Sequence, residues 1–347
     1  QGRCPSHPFR RVTSGAQEPI VAPPSDQQWQ QQIHTHLAQW IPQVVPGFPV
    51  VVDVISWAED VWVVHLACGG RIVAKHQVYG IYTRNEPFDL IQMELDVLRC
   101  LRPAGGAVPF VFGIHADTQI ILLEFAGTHT LGDLLSRAQR PAARLAHRVL
   151  HGLADIEAEL NRPESHWDER VIPGATIQDL LTAWSGVAAS AVDSLRQLWQ
   201  NRRMTSPPPA LEKQLCNLCQ HLGERTPSLG VTDYQPDNIV VGEQEERVTF
   251  LELSKLGWDW TARRAVQYTT SVDGSGVSLL NAETVACTSL DSSSIDGHHI
   301  LFLLLLSSRF LSECRAEIDG LVLSLITPLS DDPFMLNVRH SLQPLNE

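Results

Sequence analysis

Apolar and polar positions alternate with different periods along the chain, and the changes of period mark its organisation. Residues 1 to about 24 mix Pro, Arg, Gln and Ser with no period, which predicts a loose arm. From Gln27 the apolar positions Ile33, Leu37 and Trp40 recur at helical spacing, and a helix is expected to stop at Pro42. Short runs rich in Val and Ile follow: Val50 to Ile55, Val61 to Leu66 and Arg71 to Lys75. With Gly69-Gly70 between the last two, they predict an antiparallel meander. Glu86 to Leu101 returns to helical spacing, with Leu90, Met93, Val97, Leu98 and Leu101 on one side. Val108 to Ile114 and Gln119 to Phe125 read as two more strands.

Beyond Leu131 the pattern is helical: Leu131 to Ala138, Ala142 to Leu160, Ile177 to Gln200 and Pro209 to Leu222. Gly230 to Val241 and Val248 to Leu253 form a loop-and-strand pair, and helix resumes over Asp296 to Leu311. There are no internal repeats. The expected fold is α+β with two lobes. An arm and helix over residues 1–47 precede a small lobe of five antiparallel strands and one helix over 48–126, and a larger helical lobe fills 127–347. The join falls near Glu124 to Gly127, and a cleft between lobes is where a ligand is expected.

Composition narrows the function. Of 347 residues, 44% are apolar, enough for a sizeable core. Lys plus Arg is 26 and Asp plus Glu is 39, giving a formal charge of −13. Nucleic acid and anionic membranes demand a basic stripe, so neither is an expected partner. Seven cysteines, spread along the chain, predict reduced thiols and a cytoplasmic protein. Cys216-Asn-Leu-Cys219 has no second pair nearby and reads as two helix cysteines rather than a zinc site. The longest apolar run, Ile300 to Leu306, is far shorter than the roughly 20 residues of a bilayer span. It is expected in the core of the large lobe. No charged-then-apolar signal pattern opens the chain, whose first residue is Gln.

The stretch Asp233-Tyr-Gln-Pro-Asp-Asn238 carries the most chemistry. An Asp and an Asn five residues apart, on a loop entering the apolar strand Ile239-Val-Val241, can point into one cleft. The Asp suits a base that accepts a hydroxyl proton, and the Asn oxygen suits a hard cation. Fourteen residues on, Glu252 ends a second apolar strand. Two oxygen ligands on adjacent strand ends suit Mg²⁺, which takes few protein ligands and leaves the rest to phosphates. Upstream, Lys75 ends the strand Ile72-Val-Ala-Lys75, and Glu94 lies 19 residues later in a predicted helix. A strand lysine paired to a helix glutamate can hold nucleotide phosphates.

This order of strand Lys, helix Glu, connection, Asp-x4-Asn and metal-binding acid is similar to the protein-kinase layout. Over about residues 48–311 the chain resembles, as a divergent member, the aminoglycoside phosphotransferase family of the kinase-like superfamily. The family's His-Gly-Asp-x-x-Pro-x-Asn loop is close to Val231-Thr-Asp233-Tyr-Gln-Pro236-Asp-Asn238. Its Ile-Asp-Phe-Glu-x-x-Gly-Trp looks like Leu251-Glu252-Leu-Ser-Lys-Leu-Gly257-Trp258, and its hinge looks like Leu123-Glu124-Phe-Ala126-Gly127. The resemblance implies a kinase that uses ATP and Mg²⁺. By it, Asp233 would be the catalytic base, and Asn238 and Glu252 would hold Mg²⁺. Lys75, paired with Glu94, would contact the α- and β-phosphates. The backbone at Glu124 and Ala126 would meet adenine, and the Ser56 loop would cover the phosphates.

Three positions depart from the family. Glu252 stands where the family has Asp, Val231-Thr232 replaces His-Gly, and Ser56-Trp-Ala-Glu-Asp60 lacks glycine and carries two acids beside the phosphate position. The acceptor implied is a hydroxyl of a small molecule such as an aminoglycoside, sugar or amino alcohol. Two other readings stand beside it: a kinase that phosphorylates Ser or Thr of a precursor peptide with a partner lyase, and a nucleotide-binding pseudokinase or scaffold. His298-His299, at the head of an apolar helix, reads as a capping or surface pair. Trp184 and Trp199 lie where the family builds its acceptor pocket and suit either stacking on an acceptor or packing.

Overall fold

The computed structural model describes residues 26–47, 49–58, 60–77, 80–82, 86–137, 143–242, 247–311 and 315–346. The expected arm over 1–24, Glu59, Cys4 and Cys314 lie outside the described residues.

Helix α1 (Asp26–Val44) runs two residues past Pro42, which lies inside its last turn rather than ending it. The proline ring removes one backbone donor, but Val45 N–H still bonds to Ile41 C=O at 3.0 Å. Ile33, Leu37, Trp40 and Ile41 form the buried stripe of α1 and hold that turn down. They pack on one face of a sheet built from β1 (Val51–Ala58), β2 (Val61–Leu66) and β3 (Arg71–His76), meeting Trp62, Val64, Leu66, Ile72 and Ala74. A short hairpin, β4 (Gly80–Tyr82) with β5 (Glu86–Phe88), follows. It takes the first residues of the expected helix, and α2 (Leu90–Leu101) starts instead at Asp89, whose carboxylate accepts the Gln92 N–H. Strands β6 (Val111–His115) and β7 (Ile120–Glu124) complete an antiparallel five-stranded sheet of order β1-β2-β3-β7-β6. Lys75 on β3 pairs with Val61 on one side and Ile121 on the other, a register that fixes its place mid-sheet.

After β7 the chain crosses to the second lobe through β8 (His129–Thr130) and α3 (Leu131–Ser136), which starts at a Thr130/Asp133 capping box. Helix α4 (Ala143–Leu160) follows. The long helix expected over Ile177 to Gln200 is two helices, α5 (Ile177–Trp184) and α6 (Val187–Asn201). Ser185 ends the first, its hydroxyl bonded back to Thr182 C=O, and Gly186 precedes the second. Helix α7 (Pro209–Gly223) leads to β9 (Ser228–Val231), β10 (Ile239–Val241), β11 (Val248–Phe250) and β12 (Leu256–Asp259). Strand β12 falls in a stretch with no apolar run, and its pairing with β9 closes the loop that carries Asp233. Helices α8 (Thr261–Thr269), α9 (Ala282–Ala286), α10 (Ser292–Phe310), α11 (Arg315–Ile326) and α12 (Pro333–Leu342) finish the lobe.

The architecture is thus α+β and two-lobed, with the small antiparallel sheet first. One apolar core runs from Met93, Val97 and Leu98 of α2 through Leu123 of β7 to Val149 and Leu153 of α4 and Phe250 of β11, so the lobes share an interior. A second core joins α6, α7, α10, α11 and α12. There Ile300, Leu303 and Leu304 of α10 are fully or almost fully buried. His298 and His299 are not a capping or surface pair: both lie within α10 and are buried. A helix apolar on all sides takes its polar neighbours inside with it. Among the described residues no helix is long and apolar enough to cross a membrane.

Candidate active site

The cleft between the lobes encloses about 290 Å³. Its roof is Trp57, Ala58, Val61, Val63 and Val73, its back is the connection from Glu124 to Thr130, and its floor is Asp237, Asn238, Val240, Leu251 and Glu252. Lys75 and Glu94 lie at its inner end. The apolar roof suits a flat aromatic ring, and the charged inner end suits phosphates.

Lys75 is buried between two carboxylates. Its Nζ lies 3.1 Å and 3.3 Å from the oxygens of Glu94 and 2.7 Å from Glu252 Oε1. Burial alone would lower the Lys75 ammonium, but Glu94 and Glu252 together hold it above the usual lysine value. Burial pushes the Glu94 carboxyl up against the pull of Lys75, and Glu252 adds to the rise. Gln77 Nε2 donates to the same Glu94 carboxylate.

The floor is tied together by its backbone. Leu251 N–H bonds to Asn238 C=O at 2.8 Å and sets the two strand ends side by side. Asn238 donates Nδ2 to Asp233 C=O at 2.7 Å, which leaves its amide oxygen to the cleft it lines. Glu252 follows Phe250, the last residue of β11, by two positions and takes a left-handed backbone, φ +57°. That conformation costs a non-glycine residue about 1 kcal/mol or more. The turn persists because Leu253 is fully buried beside it and Lys255 C=O accepts Thr232 N–H at 2.9 Å. Asn238 and Glu252 thus present two oxygen ligands on neighbouring strand ends. Among the described residues no three His, Cys, Asp or Glu side chains gather into a metal cluster. A divalent cation that draws its remaining ligands from phosphates and water fits such a pair.

Asp233 sits one loop beyond, off the lining of the cleft and about a third exposed. Its Oδ2 lies 3.4 Å from Lys255 Nζ. Lys255 carries no motif signal of its own and was not expected at the site; it gets there because β12 pairs with β9 and brings residue 255 under residue 233. Arg264 is a second unforeseen residue. Fully buried on α8, it donates to Val231 C=O at 3.0 Å, Ser228 C=O at 3.1 Å, Gly257 C=O at 2.9 Å and Glu157 Oε1 at 2.8 Å. It buttresses the loop from beneath, alongside the bonds of the Thr232 N–H and hydroxyl to Lys255 C=O. One of two adjacent arginines in an amphipathic helix gives no sequence signal of such a role. Asn161 adds to the support, bonding both ways with the Leu229 backbone.

Glu124 N–H bonds to Phe110 C=O, and its carboxylate is clamped by Arg247 at 2.7 and 3.1 Å. Those bonds hold the Glu124 carboxyl below its usual range. Among the described residues, no protein group bonds the backbone N–H of Ala126. Ser56 is exposed on β1 and does not line the cleft; its hydroxyl points to Ala58 C=O at 3.5 Å. Trp57 and Ala58 line it instead, with Trp57 set edge-on to Phe125 at 6.4 Å. Asp60 takes φ +60° and places its carboxylate 3.1 Å from His76 Nδ1, off the cleft lining. Neither Trp184 nor Trp199 lines the cleft. Trp199 is buried, and Trp184 packs at a tilt against Trp260, ring centroids 4.6 Å apart, with its N–H on Cys219 C=O. On the same helix α7, Cys216 is exposed and Cys219 buried, and burial pushes the Cys219 thiol up to about 12.

No protein-family model matches the chain, and no curated protein matches it. Solved structures do. An aminoglycoside phosphotransferase from Alicyclobacillus acidocaldarius is 12% identical, with a TM-score of 0.48 over 85% of this chain and 91% of that one. The GDP complex of aminoglycoside 2'-phosphotransferase-IIIa is 13% identical, with a TM-score of 0.47 over 91% and 98%. An ethanolamine kinase of Plasmodium vivax is 10% identical, with a TM-score of 0.44 over 92% and 89%.

Proposed function

We propose that the protein is a phosphotransferase that moves the γ-phosphoryl group of ATP to a hydroxyl group of a small molecule. The observation that carries the reading is the convergence of Lys75, Glu94, Asn238 and Glu252 on one interlobe cleft, with Asp233 on the loop beside it. Adenine would lie under the apolar roof against the Glu124 carbonyl and the Ala126 N–H, with Trp57 and Ala58 at its edge. Lys75, oriented by Glu94, would hold the α- and β-phosphates. Asn238 and Glu252 would hold Mg²⁺, which when bound neutralises charge on the phosphates.

Asp233 would take the proton of the acceptor hydroxyl as its oxygen bonds to the γ-phosphorus. The bond to the bridging oxygen breaks, and ADP leaves. With Oδ2 facing Lys255, Oδ1 is the oxygen available to the acceptor. The chain's part is positioning and charge placement, because phosphoryl transfer asks little covalent chemistry of the protein. A second reading, a nucleotide-binding protein without turnover, draws support from the Glu252 contact with Lys75, which engages the metal-site acid and the phosphate-site base with each other.

The test is thermal unfolding with ATP and Mg²⁺ together and apart, then ADP release across a panel of amino alcohols, sugars and aminoglycosides. Ligand that binds only the native state raises the midpoint by mass action. A Mg²⁺-dependent rise that Lys75→Ala removes, with acceptor-stimulated ADP release that Asp233→Asn removes, is the expected result. Binding without ADP release for any acceptor would favour the second reading. No rise at millimolar ATP would refute both.

A further inference from the structure

The Lys75 ammonium is held by two carboxylates: it donates to both oxygens of Glu94 and forms an ion pair with Glu252 Oε1 at 2.7 Å. A phosphate that binds Lys75 must therefore displace a carboxylate. The two carboxylates are not equally held. Glu94 is 2% exposed, sits within α2, and has Gln77 as a second partner. The Glu252 side chain is 30% exposed, on a strained left-handed residue at the open side of the cleft.

We infer that Glu252 is a latch: it occupies Lys75 until a divalent cation takes its carboxylate, and so makes nucleotide binding depend on the cation. The inference rests on the nucleotide reading above. Its physical basis is exchange of partners. Without cation, the phosphates compete with a short charge-assisted contact and meet the Glu252 charge directly. With cation, the same carboxylate becomes a ligand, and Lys75 turns to phosphate without losing Glu94. The reach of Glu matters. An Asp at position 252 would fall short by roughly one C–C bond, about 1.5 Å, which opens the contact to Lys75 while keeping the charge.

The experiment is calorimetric titration of ATP in EDTA, and again with Mg²⁺, on the full chain, Glu252→Asp and Glu252→Gln. Both substitutions are expected to tighten cation-free ATP about tenfold, a small part of what a close charge pair can supply. Glu252→Gln is also expected to lose most of the gain that Mg²⁺ gives. Repeating the pair in a Lys75→Met background separates a latch from general repulsion: the gain of Glu252→Asp, which keeps the charge, should vanish with the lysine, and that of Glu252→Gln should shrink to the part due to its lost charge. If Lys75→Met does not fold, Glu252→Asp decides alone, since it keeps the charge. Unchanged cation-free affinity in Glu252→Asp overturns the latch, as does an equal gain in both backgrounds. ATP that binds the native chain only with Mg²⁺, yet no better to either variant without it, refutes the latch and leaves the nucleotide reading standing. No ATP binding by any form refutes the nucleotide reading itself.

Discussion

Replacing Arg264 with Met tests whether one buried side chain supports the whole loop carrying Asp233. The guanidinium is 0% exposed and holds the carbonyls of Ser228, Val231 and Gly257 as well as the Glu157 carboxylate. Methionine fills much of the volume but leaves the buried Glu157 carboxylate without a cation, held only by the Ser228 and Thr261 hydroxyls, a loss of about 3 kcal/mol. Three buried carbonyls also lose a partner, at about 1 kcal/mol or more each, though not additively. About 4 kcal/mol is thus the least expected, a large part of a typical stability of 5–15 kcal/mol. At about 2.1 cal/mol/K per residue over 347 residues, 4 kcal/mol lowers the thermal midpoint by about 5 °C. Urea unfolding of Arg264→Met, Glu157→Gln and the double variant gives the coupling between the two. The double variant should recover part of the loss, because it no longer buries a lone carboxylate. A loss below about 1 kcal/mol for Arg264→Met, or no recovery in the double variant, would refute the reasoning.

Four further outcomes follow from the geometry. Asp233→Asn should cut acceptor-dependent turnover by about 10²-fold or more while leaving the ATP-induced rise in midpoint unchanged, as read by ADP release and thermal unfolding. Gly132→Ala should push aside the Asp237 carboxylate, which a Cβ there would overlap, and break its hydrogen bond from the Thr130 hydroxyl; a slightly lower urea midpoint should appear. Stability should fall as pH drops from about 6.5 toward 4, partly through His298, whose pKa burial depresses to about 3. The unfolded imidazole takes a proton below its ordinary value of 6.5 and the folded one refuses it, so each such group removes about 1.4 kcal/mol per pH unit in that window. Accordingly His298→Gln should flatten the acid limb of a urea-midpoint profile by about one proton, and an unchanged slope would show that the imidazole is protonated in the fold.

The sequence made some of this readable and hid the rest for physical reasons. Lys75, Glu94, Asn238 and Glu252 stood out because each occupies a fixed place relative to an apolar strand or helix: Lys75 on β3, Glu94 on α2, Asn238 just before β10 and Glu252 just after β11. The sheet was legible because its strands are runs of Val and Ile. Strand β12 was not, since Leu256-Gly-Trp-Asp259 owes its form to pairing with β9 rather than to its own pattern. Arg264 and Lys255 were invisible for the same cause: Asp233, the partner of Lys255, and Glu157, Ser228 and Val231, partners of Arg264, lie 22 or more positions away in sequence. Pro42 and His298-His299 misled because local rules were overridden by tertiary burial. Ser56 shows the limit of transferring a loop role by position: in the loop observed, Trp57 and Ala58 face the cleft instead.

The packing of α1 on the sheet bears on how the chain can be divided. The sheet has α2 against one face and α1 across the other, although much of β1 at its edge stays exposed. A chain cut to begin at Val50 would bare Trp62, Val64, Leu66, Ile72 and Leu122 together, a contiguous apolar surface of the kind that drives association. A fragment that keeps the sheet covered therefore extends back to α1, and the small lobe, whose own strands begin only at Val51, borrows its insulation from residues that do not line the cleft.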